Sequence, residues 1–257
     1  MKVIVVANQK GGIGKTTTAC ALASMLTQHG KNALLIDTDQ QSNSTDTYGA
    51  EIDGQATLYD VLLDDDPVSL NEAVQHTEYG DIVAADPLLS RADTMLSGDV
   101  EGVYHLDDAI KGLKGYDYVI IDTAPALGEL LKNALVAADE VVIPLTADRY
   151  AIKGISQLVQ TIAAVKRRQN PKLKVAGLLL IAFSDRTKLG KDTKAKLDDI
   201  AAQMDTKVFD TTIARTVKVS EAQTNRVPLM YYAPKSSAAQ DYEKLYEELM
   251  GDDHGKK

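Results

Sequence analysis

The stretch Lys10-Gly11-Gly12-Ile13-Gly14-Lys15-Thr16-Thr17 follows an apolar run, Val3 to Ala7, and opens a segment with apolar residues at helical spacing. That context gives the glycines a physical purpose. They let the backbone curl so that successive N–H groups of Gly11, Gly12, Ile13 and Gly14 point inward as an anion nest, and the helix N-terminus adds partial positive charge. Lys15 is then within reach of β- and γ-phosphates, the Thr16 hydroxyl is placed to ligate magnesium, and Thr17 closes the cradle. A glycine-rich loop alone would be weak evidence. The strand before it, the helix after it and the Lys-Thr pair at its end are what a phosphate-binding loop for ATP and Mg2+ requires.

Outward from this loop, strand-length apolar runs alternate with helical segments. Lys15 to His29 carries Ala19, Leu22, Ala23 and Leu26 at helical spacing and stops at Gly30. Ala33 to Ile36 reads as a second strand, Asp81 to Ala84 as a third and Tyr118 to Ile121 as a fourth. Val141 to Pro144 and Val175 to Ile181 follow, with helices such as Ile152 to Arg168 between. β-Branched strands without polar alternation, separated by helices, predict an α/β fold: one doubly wound, mostly parallel sheet flanked by helices, of the P-loop NTPase kind. A single domain is expected over residues 1–250, with a frayed tail over 251–257. Asp64-Asp65-Asp66-Pro67 reads as a solvated loop.

At 257 residues the chain is long enough for one large core. No apolar run approaches the ~18 residues that span a bilayer, and Val3 follows the start too closely to leave room for a signal peptide. Cys20 is the only cysteine, which excludes a disulfide framework and, within one chain, a thiolate cluster. A cytoplasmic location is expected. The net charge of −9 hides an asymmetry: residues 1–150 carry 9 Lys and Arg against 24 Asp and Glu, or −15, and residues 151–257 carry 19 against 13, or +6. An anion-binding face and a merely solvated basic surface both fit that distribution.

Ligands of open parallel sheets bind beyond the carboxyl ends of the strands, so the carboxylates there converge on the loop. Asp122, closing Val119-Ile120-Ile121, is the expected partner of magnesium and its water, and Asp39 is the candidate that orients the attacking water. Asp37 is a further candidate at the metal, with a helix-cap or loop role left open.

KGGIGKT, with Lys10 at its head, resembles the deviant Walker A family, the ParA/MinD ATPases. NQKGGIGKTTTA is similar to the ParA phosphate loop, LLIDTDQQSNST to its switch I segment, and YVIIDTAPALGELLKNALVAADEVVIP to its Walker B strand and the helix beyond. TVKVSEAQTNRVPLMYYAPKSSAAQDYEKL is similar to the end of ParA/Soj partition ATPases, so the likeness covers nearly the whole chain. Gln40 and Ser42 stand where those proteins usually have Pro and Gly, and Ala124 replaces a second Pro. The resemblance implies ATP-driven homodimerisation, with Lys10 reaching across to the other subunit's phosphates as a catalytic electrophile. It further implies sequence-independent DNA binding through Arg186, Arg215 and Lys218, nucleoid association, and hydrolysis stimulated by a ParB-like adaptor. Phe183 and Pro234 would lie near the base. Lys218 keeps the charge of the usual Arg without its bidentate fork.

A membrane-bound relative in the same fold would need a basic amphipathic C-terminal helix, and Gln240 to Met250 carries Glu243, Glu247 and Glu248 instead. A nitrogenase iron protein would need cluster cysteines, whereas Cys20 reads as a small core residue. A tyrosine kinase of the superfamily would carry a tyrosine-rich tail, and Tyr231, Tyr232, Tyr242 and Tyr246 are dispersed at packing positions. Lys166-Arg167-Arg168 reads as a helix-dipole partner. The remaining alternative is a nucleotide-switched interaction protein of the same superfamily, acting on another cargo with little hydrolysis.

Overall fold

The fold is seen in a computed structural model that describes residues 1–64, 66–146, 151–183 and 188–254, with side chains described outside 151–154, 188–193 and 252–254. Among the described residues eight strands form one sheet: β1 (Lys2–Val6), β2 (Ala33–Asp37), β3 (Val74–Thr77), β4 (Gly80–Val83), β5 (Tyr118–Asp122), β6 (Glu140–Thr146), β7 (Lys174–Ile181) and β8 (Val208–Ile213). Their spatial order is β3-β4-β2-β5-β1-β6-β7-β8, and every pairing is parallel except the β3–β4 hairpin. The expected doubly wound, mostly parallel sheet is therefore present. β1 and β5 lie side by side at its centre, in register from Lys2 opposite Tyr118 to Val6 opposite Asp122, so the loop after β1 and the carboxylate ending β5 emerge together.

The helices are α1 (Lys15–Gln28), α2 (Asn43–Tyr48), α3 (Leu58–Leu62), α4 (Ala92–Gly98), α5 (His105–Lys111), α6 (Glu129–Ala137), α7 (Ala151–Arg168), α8 (Lys188–Gln203), α9 (Val217–Thr224), α10 (Leu229–Tyr232) and α11 (Ser237–His254). They cover both faces of the sheet. Val3, Val5, Leu34, Ile36, Val119 and Ile121 pack into one core with α3 to α8. The intervening Ile4, Val6, Leu35 and Ile120 pack into the other with α1, α10 and α11. Alternate residues point to opposite faces, and here both faces are dry, which is why the strands read as unbroken apolar runs.

Two strands have no counterpart in the sequence reading. β3, Val-Gln-His-Thr, is a half-exposed edge strand without an apolar run. β8, at the other edge, alternates buried Phe209 with exposed Asp210, and the Glu248 carboxylate of α11 accepts its Asp210 and Thr211 N–H groups at 3.1 and 3.0 Å. That contact caps edge donors that would otherwise invite pairing with another chain. The last helix also runs further than expected at both ends, reaching His254. No described helix is long and apolar enough to cross a membrane.

Candidate active site

The loop after β1 is built by left-handed glycines. Gly12 has φ +69° and Gly14 has φ +89°, and the first helical bond of α1 runs from Thr18 N to Gly14 O at 2.9 Å. A side chain at either glycine would be strained in that conformation. Asn8 fixes the approach: its Nδ2 donates to Pro144 O on β6 at 2.8 Å, and its Oδ1 accepts from Lys10 N at 3.1 Å. Gly11, Gly12, Ile13, Gly14, Lys15, Thr16 and Thr17 then form one wall of a cavity of about 610 Å3. Another depression of about 560 Å3, beside Met1, Asp139 and Glu140, opens at the opposite end of the strands, away from these groups.

The two lysines divide. Lys15 is buried, its Nζ donating to Lys10 O at 3.1 Å, and burial lowers its pKa against the opposing pull of Asp122 and Asp39. Lys10 is exposed at the rim, with its Nζ donating to Thr146 Oγ1 at 3.3 Å.

The three carboxylates separate by what they touch. Asp122 is fully buried; its Oδ2 accepts from Ser44 Oγ at 2.8 Å, and Oδ1 has no partner among the described residues. Burial raises its pKa to about 6, against the opposing pull of the Thr16 and Ser44 hydroxyls and of Lys15. Asp39 lines the cavity and accepts from Gln41 N at 3.0 Å. Asp37 makes the contacts of the helix-cap role that the sequence leaves open. Its Oδ1 accepts from Asp39 N at 3.0 Å, and its Oδ2 accepts from Thr45 N and Thr45 Oγ1 at 2.9 and 2.8 Å. Oδ1 thus holds the turn after β2 and Oδ2 the first turn of α2. Burial, then the charge of Asp122, lifts its pKa to about 7.

Magnesium fits the remaining donors. A buried carboxylate oxygen without a partner beside a threonine hydroxyl is the hard, oxygen-only environment that Mg2+ selects, completed by nucleotide phosphates and water. Among the described residues no cluster of three His, Cys, Asp or Glu could hold a metal alone.

A family model described as an AAA domain matches residues 1–175. The chain is 38% identical over 253 residues to a chromosome partitioning protein ParA of Myxococcus xanthus, covering 97% of this chain and 88% of that one. It is also 38% identical over 251 residues to the sporulation initiation inhibitor protein Soj of Bacillus subtilis, covering 96% and 98%. The chain belongs to the ParA/Soj family of partition ATPases. The structure of a cobyrinic acid a,c-diamide synthase from Mycobacterium smegmatis with bound ADP and magnesium superposes on this ParA/Soj chain with a TM-score of 0.84. The two are 32% identical, and the match covers 100% of this chain and 97% of that one.

The chain is accordingly an ATP hydrolase of the partition class, with ATP and Mg2+ as its ligands. The family departures take physical form. Ser42, in place of the usual glycine, still adopts the left-handed backbone at φ 53°, and its buried hydroxyl has no partner.

Of the residues expected at the base, Phe183 packs against the core and Pro234 is exposed, and neither lines the cavity. The wall facing the loop is made instead by Ile181 and by Val219, Ser220, Gln223 and Arg226 in and after α9. Gln223 Nε2 donates to Thr17 Oγ1 at 3.2 Å, and Arg226 pairs with Asp46 of α2 at 3.6 Å. Sequence reasoning missed these residues and Ser44, since nothing local marks contacts made 206 positions apart. Of the expected DNA contacts, Arg186 lies outside the described residues. Arg215 is exposed beyond β8, and Lys218, also exposed, is paired with Glu221 at 2.7 Å on α9.

Proposed function

We propose that ATP brings two copies of this chain face to face, that the pair binds DNA without sequence preference, and that hydrolysis releases it. Lys10 of each copy completes the other's phosphate site, acting on charge that develops at the γ-phosphate. Asp122 and Thr16 hold Mg2+, whose charge neutralises the phosphates, and Asp39 orients the attacking water. A ParB-like, centromere-bound adaptor stimulates the reaction, and DNA anchoring localises the protein to the nucleoid.

The observation that carries this reading is the division of the lysines. Lys15 is buried toward its own phosphate loop while Lys10 stands exposed at the rim beside Thr146, where a facing copy has access to it. The excess of basic residues beyond position 150 supports DNA as the anchoring surface.

The test is duplex DNA binding with ADP, ATP and a slowly hydrolysed ATP analogue, alongside sedimentation to read dimerisation. Wild type should dimerise and bind in the ATP state, with affinity falling steeply with salt. Lys10→Ala should lose stimulated turnover, and Arg215→Ala/Lys218→Ala should lose DNA while keeping the dimer. Intact ATP-dependent dimerisation without DNA binding at any nucleotide state refutes DNA anchoring. Absence of single-turnover cleavage with adaptor and DNA present would favour a nucleotide-switched interaction protein, for which the strained Ser42 in the switch segment is the supporting feature.

A further inference from the structure

Ser44 is fully buried in the first turn of α2, and its hydroxyl donates to Asp122 Oδ2 at 2.8 Å. On its other side the Cys20 sulfur lies 3.5 Å away, so the hydroxyl is enclosed between α1 and β5. The helix that carries it is fixed independently. Thr45 N and Oγ1 both donate to Asp37, and Thr45 Oγ1 accepts from Ala85 N at 2.9 Å. Ser44 therefore meets Asp122 as a donor fixed by the helix that carries it, 2.8 Å from Oδ2.

The second oxygen, Asp122 Oδ1, is buried and unpartnered. A terminal carboxylate torsion is broad and roughly two-fold, so nothing intrinsic to aspartate keeps one oxygen toward the metal. A fixed donor on Oδ2 removes that freedom and leaves Oδ1 as the oxygen available to magnesium or its water. We propose that Ser44 is a positioning residue for magnesium, holding Asp122 so that one defined oxygen faces the ion. The proposal rests on Asp122 being the magnesium partner. It also ties metal occupancy to α2, because the residue that aims the carboxylate belongs to that helix. Partners that orient a metal-binding group are commonly worth about 10- to 100-fold in metal affinity.

The experiment titrates Mg2+ into the full chain with a fluorescent ATP analogue and reads the half-saturating Mg2+ concentration, with nucleotide affinity in EDTA as the internal reference. Ser44→Ala should raise the Mg2+ requirement by about 10- to 100-fold and leave affinity in EDTA unchanged. Cys20→Ala makes room for the methyl of Ser44→Thr, so Cys20→Ala/Ser44→Thr should recover the Mg2+ response that Cys20→Ala/Ser44→Ala lacks. An unchanged Mg2+ requirement in Ser44→Ala, with Asp122→Asn strongly shifted, overturns the role of Ser44 alone. If Asp122→Asn is unshifted as well, the assignment of Asp122 to the metal fails and this inference fails with it. An equal loss of nucleotide affinity in EDTA and in Mg2+ shows that Ser44 merely supports the fold of α2, and refutes positioning.

Discussion

Ser42→Gly should stabilise the protein, and the structure sets the size. Ser42 sits at φ 53°, ψ 33° between two hydrogen bonds that fix its backbone, Ser42 N to Asp39 O at 2.8 Å and Asp46 N to Ser42 O at 2.9 Å. Glycine would adopt the same conformation, relieving a left-handed strain of roughly 1–2 kcal/mol. It would also delete a hydroxyl that is buried without a partner, a burden of about 1–3 kcal/mol. Against these stands the extra freedom of glycine in the unfolded chain, about 0.5–1 kcal/mol. The net is a gain of about 3 kcal/mol, which for a domain of this size raises Tm by roughly 6–12 °C. Thermal and urea melts of the nucleotide-free protein measure it, and Ser42→Ala separates the terms, since alanine removes the hydroxyl and keeps the strain. Alanine should recover only part of the gain. A glycine variant that melts at or below wild type refutes the reasoning, and an alanine variant equal to glycine would show that the backbone term is absent.

Gly177→Ala should destabilise. A Cβ there would lie 2.6 Å from the Phe209 ring, and Phe209 is fully buried. The expected cost is about 1–3 kcal/mol, read by urea midpoint, with Phe209→Leu restoring part of it in the double variant. Stability without nucleotide should fall as pH rises from 5 to 8. Asp37 and Asp122 are raised from 3.8 to about 7 and about 6 by burial, so the folded state holds protons that the unfolded chain has released. That contribution is complete below the unfolded value and lost as pH passes the folded ones. Urea midpoints across the range measure it; Asp122→Asn should flatten the slope, and a midpoint that climbs with pH would contradict the assignment.

The phosphate loop was fully legible because its chemistry is local: eight consecutive residues carry the nest, the lysine and the hydroxyl. The central strands were legible for the same reason, each an uninterrupted apolar run buried on two faces. The edge strands β3 and β8 were not, since a strand with one covered face and one neighbour lacks that run. The carboxylates show the limit more sharply. Asp37, Asp39 and Asp122 look alike at strand ends, and only the donors around each, two from Thr45 on Asp37 and one from Ser44 on Asp122, tell their surroundings apart.

The wall across from the loop was illegible because it comes from the far end of the chain, yet it bears most directly on how the site reaches the rest of the molecule. α9 carries Lys218, touches the phosphate-loop helix through Gln223 and Thr17, and is followed by Arg226, which reaches Asp46 on α2. α2 in turn holds Asp122 through Ser44 and Asp37 through Thr45. The links of this path are unequal. Those on the carboxylates are buried and costly to break, whereas the Asp46–Arg226 pair is exposed at 3.6 Å, worth at most about 1 kcal/mol. Arg226 also holds a left-handed backbone at φ 53°, a conformation that costs about 1–3 kcal/mol and persists only while its surroundings enforce it. The contacts of α9 with α1 and α2, Gln223 to Thr17 and Arg226 to Asp46, are both exposed, whereas those of α2 on the carboxylates are buried. The site is therefore joined to α9 by weaker contacts than those that hold its own carboxylates.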